Sequence, residues 1–228
     1  MALKALLFDV DNTLINFMKM KRACCNAAMD AMISAGLKMS KRNALKLLYE
    51  LYEIHGLESQ RIFQKFTKKI YGKENYKLIS YGTIAYRKMR ESYLTPYPGV
   101  IPTLIDLKKQ GYKLAIVSDA PIMEVWMRLA ALKLNEFFDF IVTKADARKQ
   151  KTFPAPFKVA LRKLNIQPNE AMMVGDRISR DVNTAKKLGL HTIYARYGDE
   201  HPPKRGKSGA EFEIKDISEI LNIVKSFD

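Results

Sequence analysis

The sequence is poor in cysteine, and its two cysteines do not suit an ordinary structural disulfide. Cys24 and Cys25 are adjacent and lie inside a helical pattern, where neighbouring side chains cannot reach the usual disulfide geometry. The spacing of the cysteines and of the three histidines does not resemble that of a zinc site. We therefore expect two reduced thiols packed in a helix, and neither a disulfide scaffold nor structural zinc.

Long apolar runs are also missing. No segment approaches the roughly 18–20 apolar residues that a transmembrane helix requires. The chain passes from Met1-Ala2-Leu3-Lys4 directly into its first predicted strand, which leaves no room for a signal peptide. The sequence therefore predicts a cytoplasmic protein with no membrane partner.

Acidic residues are outnumbered by basic ones. The 228 residues include 24 Asp and Glu against 39 Lys and Arg, a net charge of +15, and such an excess raises the question of nucleic acid. The basic residues are scattered, however, and they form neither a basic motif interleaved with aromatics nor a recognition helix. The sequence therefore makes nucleic acid an unlikely partner and favours a small anionic ligand.

The hydrophobic periodicity divides the chain into two kinds of structure. Short apolar strands alternate with helices over residues 1–15 and 96–228, which predicts an α/β core with a parallel sheet. Residues 16–95 show helical spacing only and predict an inserted α-helical lobe, which ends near the break at Pro96-Tyr97-Pro98-Gly99. Trp126 stands among apolar residues of a core helix, and we expect it to be packed.

Polar side chains follow the predicted strands at their carboxyl ends. They fall into four clusters: Asp9 and Asp11; Ser118 and Asp119; Lys151; and Asp176 and Asp181. Because parallel strands end at the same edge of a sheet, these side chains should meet there. Mg²⁺ prefers carboxylate ligands, so Asp9, Asp176 and Asp181 predict a magnesium site.

The same clusters suit phosphoryl transfer. Lys151 and Ser118 offer the cationic and hydroxyl contacts that a phosphoryl group needs. Asp9 can then attack phosphorus as the nucleophile. Asp11 can protonate the leaving alkoxide and later deprotonate the hydrolytic water. The predicted substrate is a small phosphorylated molecule.

Several assignments stay open at this level. Lys144, Lys149 and Lys158 are close enough in sequence to replace Lys151, and Asp181 can also be read as the N-cap of the following helix. Asp119 and Arg177 stand beside motif residues and are further candidates for the site. In the helical lobe, Asn16, Lys19 and Arg22 follow the first cluster closely, and of these we choose Asn16 and Arg22 as substrate-binding residues.

The four clusters resemble the motifs of the haloacid dehalogenase superfamily of aspartate-nucleophile hydrolases. Its D-x-D-x-T motif is matched by Asp9 to Thr13, and its serine or threonine after an apolar strand is matched by Ser118. Its lysine motif is matched by Lys151 to Phe157, although Thr152 stands where proline is usual. Its G-D-x-x-x-x-D motif is matched by Gly175 to Asp181.

The resemblance implies a Rossmann-like core with the helical lobe as a cap, and an Mg²⁺-dependent phosphatase. Asp11 would ligate the metal through its backbone carbonyl, and the Asp119 N–H would join Ser118 and Lys151 on the phosphate. The chain is most similar in character to small archaeal phosphatases, some of which act on triose phosphates such as glyceraldehyde 3-phosphate. A monomer and a homodimer both remain open.

Three alternative functions accompany this prediction. A phosphomutase of the same superfamily would use the same four motifs with a different cap. A 2-haloacid dehalogenase is less favoured, because that branch lacks an acid at the position of Asp11. A non-catalytic nucleic-acid-binding protein is disfavoured by the complete set of carboxylates and lysine.

Overall fold

We describe the protein from a computed structural model, which describes residues 2–227. These residues form two compact units, which we call the sheet unit (residues 2–16 and 95–227) and the helical unit (residues 17–94). The helical unit is thus one continuous stretch of chain, whereas the sheet unit is assembled from two separate stretches. Among the described helices, none has the length and apolar character needed to cross a membrane.

The sheet unit contains a parallel sheet of six strands, which confirms the predicted α/β class. The strands are β1 (Ala5–Phe8), β2 (Lys113–Ser118), β3 (Phe140–Thr143), β4 (Ala171–Gly175), β5 (His191–Ala195) and β6 (Phe212–Ile214). Their spatial order is β3-β2-β1-β4-β5-β6. Phe8 lies opposite Ile116 of β2 and Val174 of β4, so β1 is central.

Buried side chains on both faces explain why the central strands are apolar throughout. All four residues of β1 are buried, as expected for a parallel sheet covered on both sides. The helices of this unit are α5 (Val100–Lys109), α6 (Ile122–Ala131), α7 (Lys144–Ala147), α8 (Ala155–Leu164), α9 (Asn183–Lys187) and α10 (Ile220–Val224), with a π-helical turn at Ile178–Val182. On one face, Leu7 belongs to the same buried cluster as Phe157 and Leu161 of α8.

The expectation for Trp126 was wrong. Trp126 is 45% exposed, and Ile122 and Met123 on the same helix are also exposed. The buried side of α6 is instead formed by Val125, Leu129 and the charged residue Arg128. An apolar pattern identifies the helix correctly here, but it does not identify which side faces the core.

The helical unit consists of four helices. They are α1 (Phe17–Ser34), α2 (Lys41–His55), α3 (Ile62–Tyr71) and α4 (Tyr76–Tyr93). Ser40 caps α2 by accepting a hydrogen bond from the Asn43 N–H, and Asn75 caps α4 in the same way. Met32 of α1 and Phe66 of α3 lie in one buried cluster with residues of α2 and α4.

A buried lysine lies inside the helical unit. Lys21 is 4% exposed, and its ammonium donates to the Leu57 carbonyl at 2.7 Å and to the Tyr86 hydroxyl at 2.9 Å. The ammonium also lies 4.1 Å from the centroid of the Tyr52 ring, a cation–π contact. Lys21 therefore joins α1 to two other helices and to the segment after α2.

The two cysteines are free and buried, as predicted. Burial raises the pKa of the Cys24 thiol to about 11, and the charge of Lys21 only partly opposes this rise. Burial likewise raises the pKa of the Cys25 thiol. Thiols with raised pKa values carry little thiolate at neutral pH, so both cysteines are packing residues.

Candidate active site

A tight turn follows β1 and presents the first pair of carboxylates. The backbone N–H of Asp9 still donates to Val174 O of β4, at 3.0 Å, so Asp9 is held at the edge of the sheet. The amides of Thr13, Leu14 and Ile15 then all donate to the Val10 carbonyl at 2.9–3.3 Å. The first bond fixes the Asp9 backbone relative to β4, and the other three fix the turn that follows it.

Three carboxylates converge beyond the ends of β1 and β4. One oxygen each from Asp9, Asp176 and Asp181 can be chosen so that all three lie within 4.8 Å of one another. The three residues are 6%, 1% and 0% exposed. Gly175 makes room for this cluster, because a Cβ atom at that position would overlap the Asp181 carboxyl group.

Asp181 lies in the π-helical turn, and the structure does not support its alternative reading as an N-cap. Its Oδ2 accepts a hydrogen bond from the Arg177 N–H at 2.9 Å, back toward the strand end. The Arg177 carbonyl in turn accepts from the Asp181 N–H at 2.7 Å. The turn thereby points the Asp181 carboxylate at the other two, while the Arg177 side chain is exposed.

Lys151 is the cation of this cluster. Its ammonium lies 2.8 Å from Asp9 Oδ1 and 2.6 Å from Asp181 Oδ1, and the residue is 2% exposed. Burial by itself lowers the pKa of Lys151, but the charges of Asp181 and Asp9 outweigh burial and raise this pKa above its usual range. The three alternative lysines, Lys144, Lys149 and Lys158, are all exposed.

Ser118 and Asp119 follow β2 and hold the neighbouring segment in place. The buried Ser118 Oγ accepts from the Ala120 N–H at 3.2 Å. The Asp119 carboxylate accepts from the Lys151 backbone N–H at 2.8 Å, and its other oxygen lies 3.4 Å from Arg180 Nη1. The Asp119 side chain thus positions the lysine segment, and its expected phosphate contact, through the backbone N–H, stays a prediction.

Asp11 is placed differently from the other carboxylates. Its Oδ2 lies 2.7 Å from Nη1 of Arg128, which is 5% exposed, and its side chain is not part of the three-carboxylate cluster. Sequence reasoning did not identify Arg128, because a buried arginine in the middle of an amphipathic helix carries no local motif.

The charges of the buried cluster are unbalanced. The cluster holds three carboxylates and one ammonium, and burial raises the pKa of Asp176, with the charges of Asp9 and Asp181 adding to the rise. Burial also raises the pKa of Asp181, although Lys151 opposes that rise. Among the described residues, Asp176 Oδ1 is buried without a hydrogen-bond partner. A divalent cation would supply both the missing charge and the missing partner, so these residues fit one.

The segment after β5 also supports the turn that follows β1, and the sequence did not predict these contacts. The Tyr197 hydroxyl donates to the Thr13 carbonyl at 2.7 Å, and its ring packs edge-on against Tyr97 with centroids 4.9 Å apart. A Cβ atom at Gly198 would overlap the Asn12 carbonyl. The turn after β1 is therefore held from the β5 side as well as from β4.

The two remaining predicted substrate-binding residues lie in different units. Asn16 is partly buried at the end of the first stretch of the sheet unit, and Arg22 is exposed on α1 of the helical unit. Lys19 is likewise exposed on α1. Their contact with substrate stays a prediction.

Comparison with known proteins gives one consistent result. The family model described as haloacid dehalogenase-like hydrolase matches residues 6–195. The chain is 35% identical to a glyceraldehyde 3-phosphate phosphatase of Methanothermobacter thermautotrophicus, over 97% of this chain and 100% of the relative. It is 33% identical to the protein of the same name from Methanopyrus kandleri, over 98% and 97%.

A solved structure has the same fold. The chain matches a HAD phosphatase from Thermococcus onnurineus with a TM-score of 0.72 and 29% identity, over 97% of this chain and 98% of that one. The match extends over both units of the chain.

Proposed function

Because the chain belongs to the haloacid dehalogenase-like hydrolase family, we propose that it is a phosphatase whose nucleophile is Asp9. The proposed substrate is a small phosphate monoester, specifically a triose phosphate such as glyceraldehyde 3-phosphate. One observation carries the proposal: Asp9 is buried and held at the end of the central strand, with Lys151 at 2.8 Å and Asp176 and Asp181 beside it.

The reaction proceeds in two displacements on these residues. An Asp9 carboxylate oxygen attacks phosphorus, the Asp9–phosphorus bond forms, and the ester P–O bond breaks. Asp11 gives a proton to the departing alkoxide. Water then attacks the aspartyl-phosphate, Asp11 takes up its proton, and inorganic phosphate leaves with Asp9 regenerated.

Cationic and hydroxyl groups stabilise the charge that develops on the phosphoryl oxygens. We assign this role to Lys151, the Ser118 hydroxyl and the Asp119 backbone N–H. Lys151 already contacts Asp9, so it lies where a phosphoryl group on Asp9 would be. The Asp119 carboxylate contributes indirectly, because it fixes the backbone of Lys151.

We assign Mg²⁺ to the carboxylate cluster. Asp9, Asp176 and Asp181 would hold it through their side chains, and Asp11 through its backbone carbonyl. When bound, Mg²⁺ offsets the repulsion between the nucleophilic carboxylate and the phosphate dianion. The orphaned Asp176 oxygen and the excess of negative charge are what support this assignment.

The substrate assignment rests on the relatives. The two archaeal proteins reported above are named glyceraldehyde 3-phosphate phosphatases and align along almost their whole length. We propose that the helical unit acts as the cap and that Asn16 and Arg22 contact the substrate. The free, buried thiols fit a reducing compartment, so we place the protein in the cytoplasm, as a monomer or homodimer.

The test is phosphate release from glyceraldehyde 3-phosphate by the full chain, with and without Mg²⁺. We expect Mg²⁺-dependent turnover that is lost when EDTA is added, and a fall of at least about 10³-fold in kcat for Asp9→Asn. Full activity of Asp9→Asn would exclude the proposed nucleophile. Isomerised sugar phosphate without free phosphate would identify a mutase, and salt-sensitive binding of RNA without turnover would identify a binding protein.

A further inference from the structure

Arg128 is a buried charge that the proposed reaction does not use. It lies on the inner side of α6, three to four residues before the helix ends, and is 5% exposed. Its Nη1 contacts Asp11 Oδ2 at 2.7 Å, and its Nη2 lies 3.9 Å from Oε2 of Glu124, one turn earlier on the same helix. Arg128 thus links the core helix after the second motif to the second aspartate of the first motif.

The contact restricts the Asp11 side chain. An arginine–carboxylate hydrogen bond is directional, because the guanidinium is planar and its N–H groups point in fixed directions. Arg128 is itself held by packing in α6 and by Glu124, whose side chain is 12% exposed. An aspartate bound to such a partner cannot rotate freely, although the Asp11 side chain retains 21% exposure.

The two oxygens of Asp11 can therefore have separate tasks. Arg128 engages Oδ2, while a general acid or base needs only one oxygen to exchange a proton. Oriented groups of this kind lose much of their effect when they are displaced by about 1 Å. A residue that fixes Oδ2 therefore also fixes where Oδ1 can give or accept a proton.

We propose that Arg128 is a positioning residue that orients Asp11 for proton exchange with the leaving group and with water. The proposal rests on the phosphatase function proposed above and extends it to a residue outside the four motifs. Arg128 acts through Asp11, to which its Nη1 donates a hydrogen bond. Its effect must then depend on how much the leaving group needs a proton.

The test compares two esters with the Arg128→Met variant. An alkyl leaving group, as in glyceraldehyde 3-phosphate, needs a proton as it departs, whereas 2,4-dinitrophenolate does not. We expect Arg128→Met to lower kcat/KM for the alkyl ester about 30-fold or more and that for 2,4-dinitrophenyl phosphate less than about 3-fold. Arg128→Lys, which keeps the charge but not the planar geometry, should fall between wild type and Arg128→Met.

Two controls separate positioning from a structural role. Arg162→Met changes an exposed arginine of α8 in the same unit and should leave both kcat/KM values unchanged. In an Asp11→Asn background, adding Arg128→Met should have no further effect on formation of the phosphorylated enzyme in single-turnover measurements. Thermal unfolding of each variant checks that the fold is intact.

Some outcomes would overturn the proposal. Equal losses on both esters, or a further loss when Arg128→Met is added to Asp11→Asn, would show that Arg128 supports the fold or another step. Because these results require an active wild type, they would leave the phosphatase assignment in place. A wild type that releases phosphate from neither ester would overturn the proposed function and this inference together.

Discussion

The two units each contain a buried lysine, and the contacts of the two ammonium groups differ. In the sheet unit, Lys151 lies between the carboxylates of Asp9 and Asp181, with Asp176 nearby. In the helical unit, Lys21 lies against a backbone carbonyl, a phenol hydroxyl and the ring of Tyr52. Both residues are at most 4% exposed, so burial alone does not distinguish them.

This difference distinguishes a candidate active site from a structural contact. The Leu57 carbonyl, the Tyr86 hydroxyl and the Tyr52 ring make Lys21 a structural contact between helices. Around Lys151, negative charge exceeds positive charge. Burial raises the pKa values of Asp176 and Asp181, and the neighbouring carboxylates add to the rise. A buried charge that no opposite charge balances destabilises the folded protein, unless a bound ligand supplies the opposite charge. The unbalanced cluster is therefore where a ligand is expected to bind.

The largest expected effect is the difference in activity between variants that lack one or the other buried lysine. Lys151→Met should lower kcat for phosphate release about 10³-fold, because the developing charge on the phosphoryl group loses its cation. Lys21→Met should keep kcat within about 3-fold of wild type and lower the unfolding free energy by about 1–3 kcal/mol, since it leaves buried oxygens unpaired. Steady-state assays and urea unfolding measure the two effects.

The comparison would fail if the two variants behaved alike. An Lys21→Met protein that folds but loses as much activity as Lys151→Met would give the helical-unit lysine a part in the chemistry. A fully active Lys151→Met would remove the cation from the proposed reaction.

Two glycines, one in each unit, offer a second matched comparison in which the expected effect is smaller. A Cβ at Gly175 would overlap the carboxyl group of Asp181, and a Cβ at Gly82 of α4 would overlap the terminal methyl of Met32. A methionine end can move aside, whereas the Asp181 carboxylate is held by Arg177 and Lys151. We expect Gly175→Ala to weaken Mg²⁺ binding about 10–100-fold by calorimetry, and Gly82→Ala to leave it unchanged.

Equal Mg²⁺ affinities in wild type and Gly175→Ala would show that Asp181 does not need its present position to hold the metal. A weakened affinity in Gly82→Ala would show instead that packing of the helical unit affects the metal site.

The smallest expected effect is on thermal stability, whose dependence on pH should be reduced by Mg²⁺. Burial raises the pKa of Asp176 to about 9, against about 4 for an unfolded aspartate. The metal-free protein should therefore be stabilised by this proton at low pH and lose that stability as pH rises toward 9. Because Mg²⁺ replaces the proton, the rise in Tm on adding Mg²⁺ should be a few degrees larger at pH 8.5 than at pH 6.

Asp176→Asn is the control for this measurement and should make the Mg²⁺ effect small and nearly independent of pH. The helical unit does not contribute in the same range through Cys24, because the pKa of that thiol is raised to about 11. An Mg²⁺ effect that shrinks as pH rises would contradict the assignment.

The sequence predicted the sheet and the cluster at its edge for a simple reason. Parallel strands end together, so residues that follow separate strands, such as Asp9, Lys151 and Asp176, meet without any knowledge of tertiary packing. The register of Lys151 with its motif favoured it over Lys144, Lys149 and Lys158. In the structure Lys151 contacts Asp9 while those three are exposed, and its role on the phosphate stays a prediction.

Other features depended on packing that local patterns do not encode. Arg128 reaches Asp11 across 117 positions of sequence, and Tyr197 reaches Thr13 across 184. The same limit explains the error at Trp126: helical spacing shows that one side of α6 is apolar, while the tertiary arrangement decides whether Trp126 or Arg128 is buried. Asp119 was a candidate for the site, but the hydrogen bond that its carboxylate accepts from the Lys151 backbone N–H was not predicted.

The central place of β1 in the sheet has a consequence for how the protein is made. β1 ends at Phe8, and its first neighbouring strand begins only at Lys113, with the whole helical unit in between. At a synthesis rate of about 5–20 residues per second, the apolar strand waits roughly 5–20 s for a partner. The helical unit is one continuous stretch with its own buried cluster, so its whole chain is synthesised before β1 has a strand to pair with.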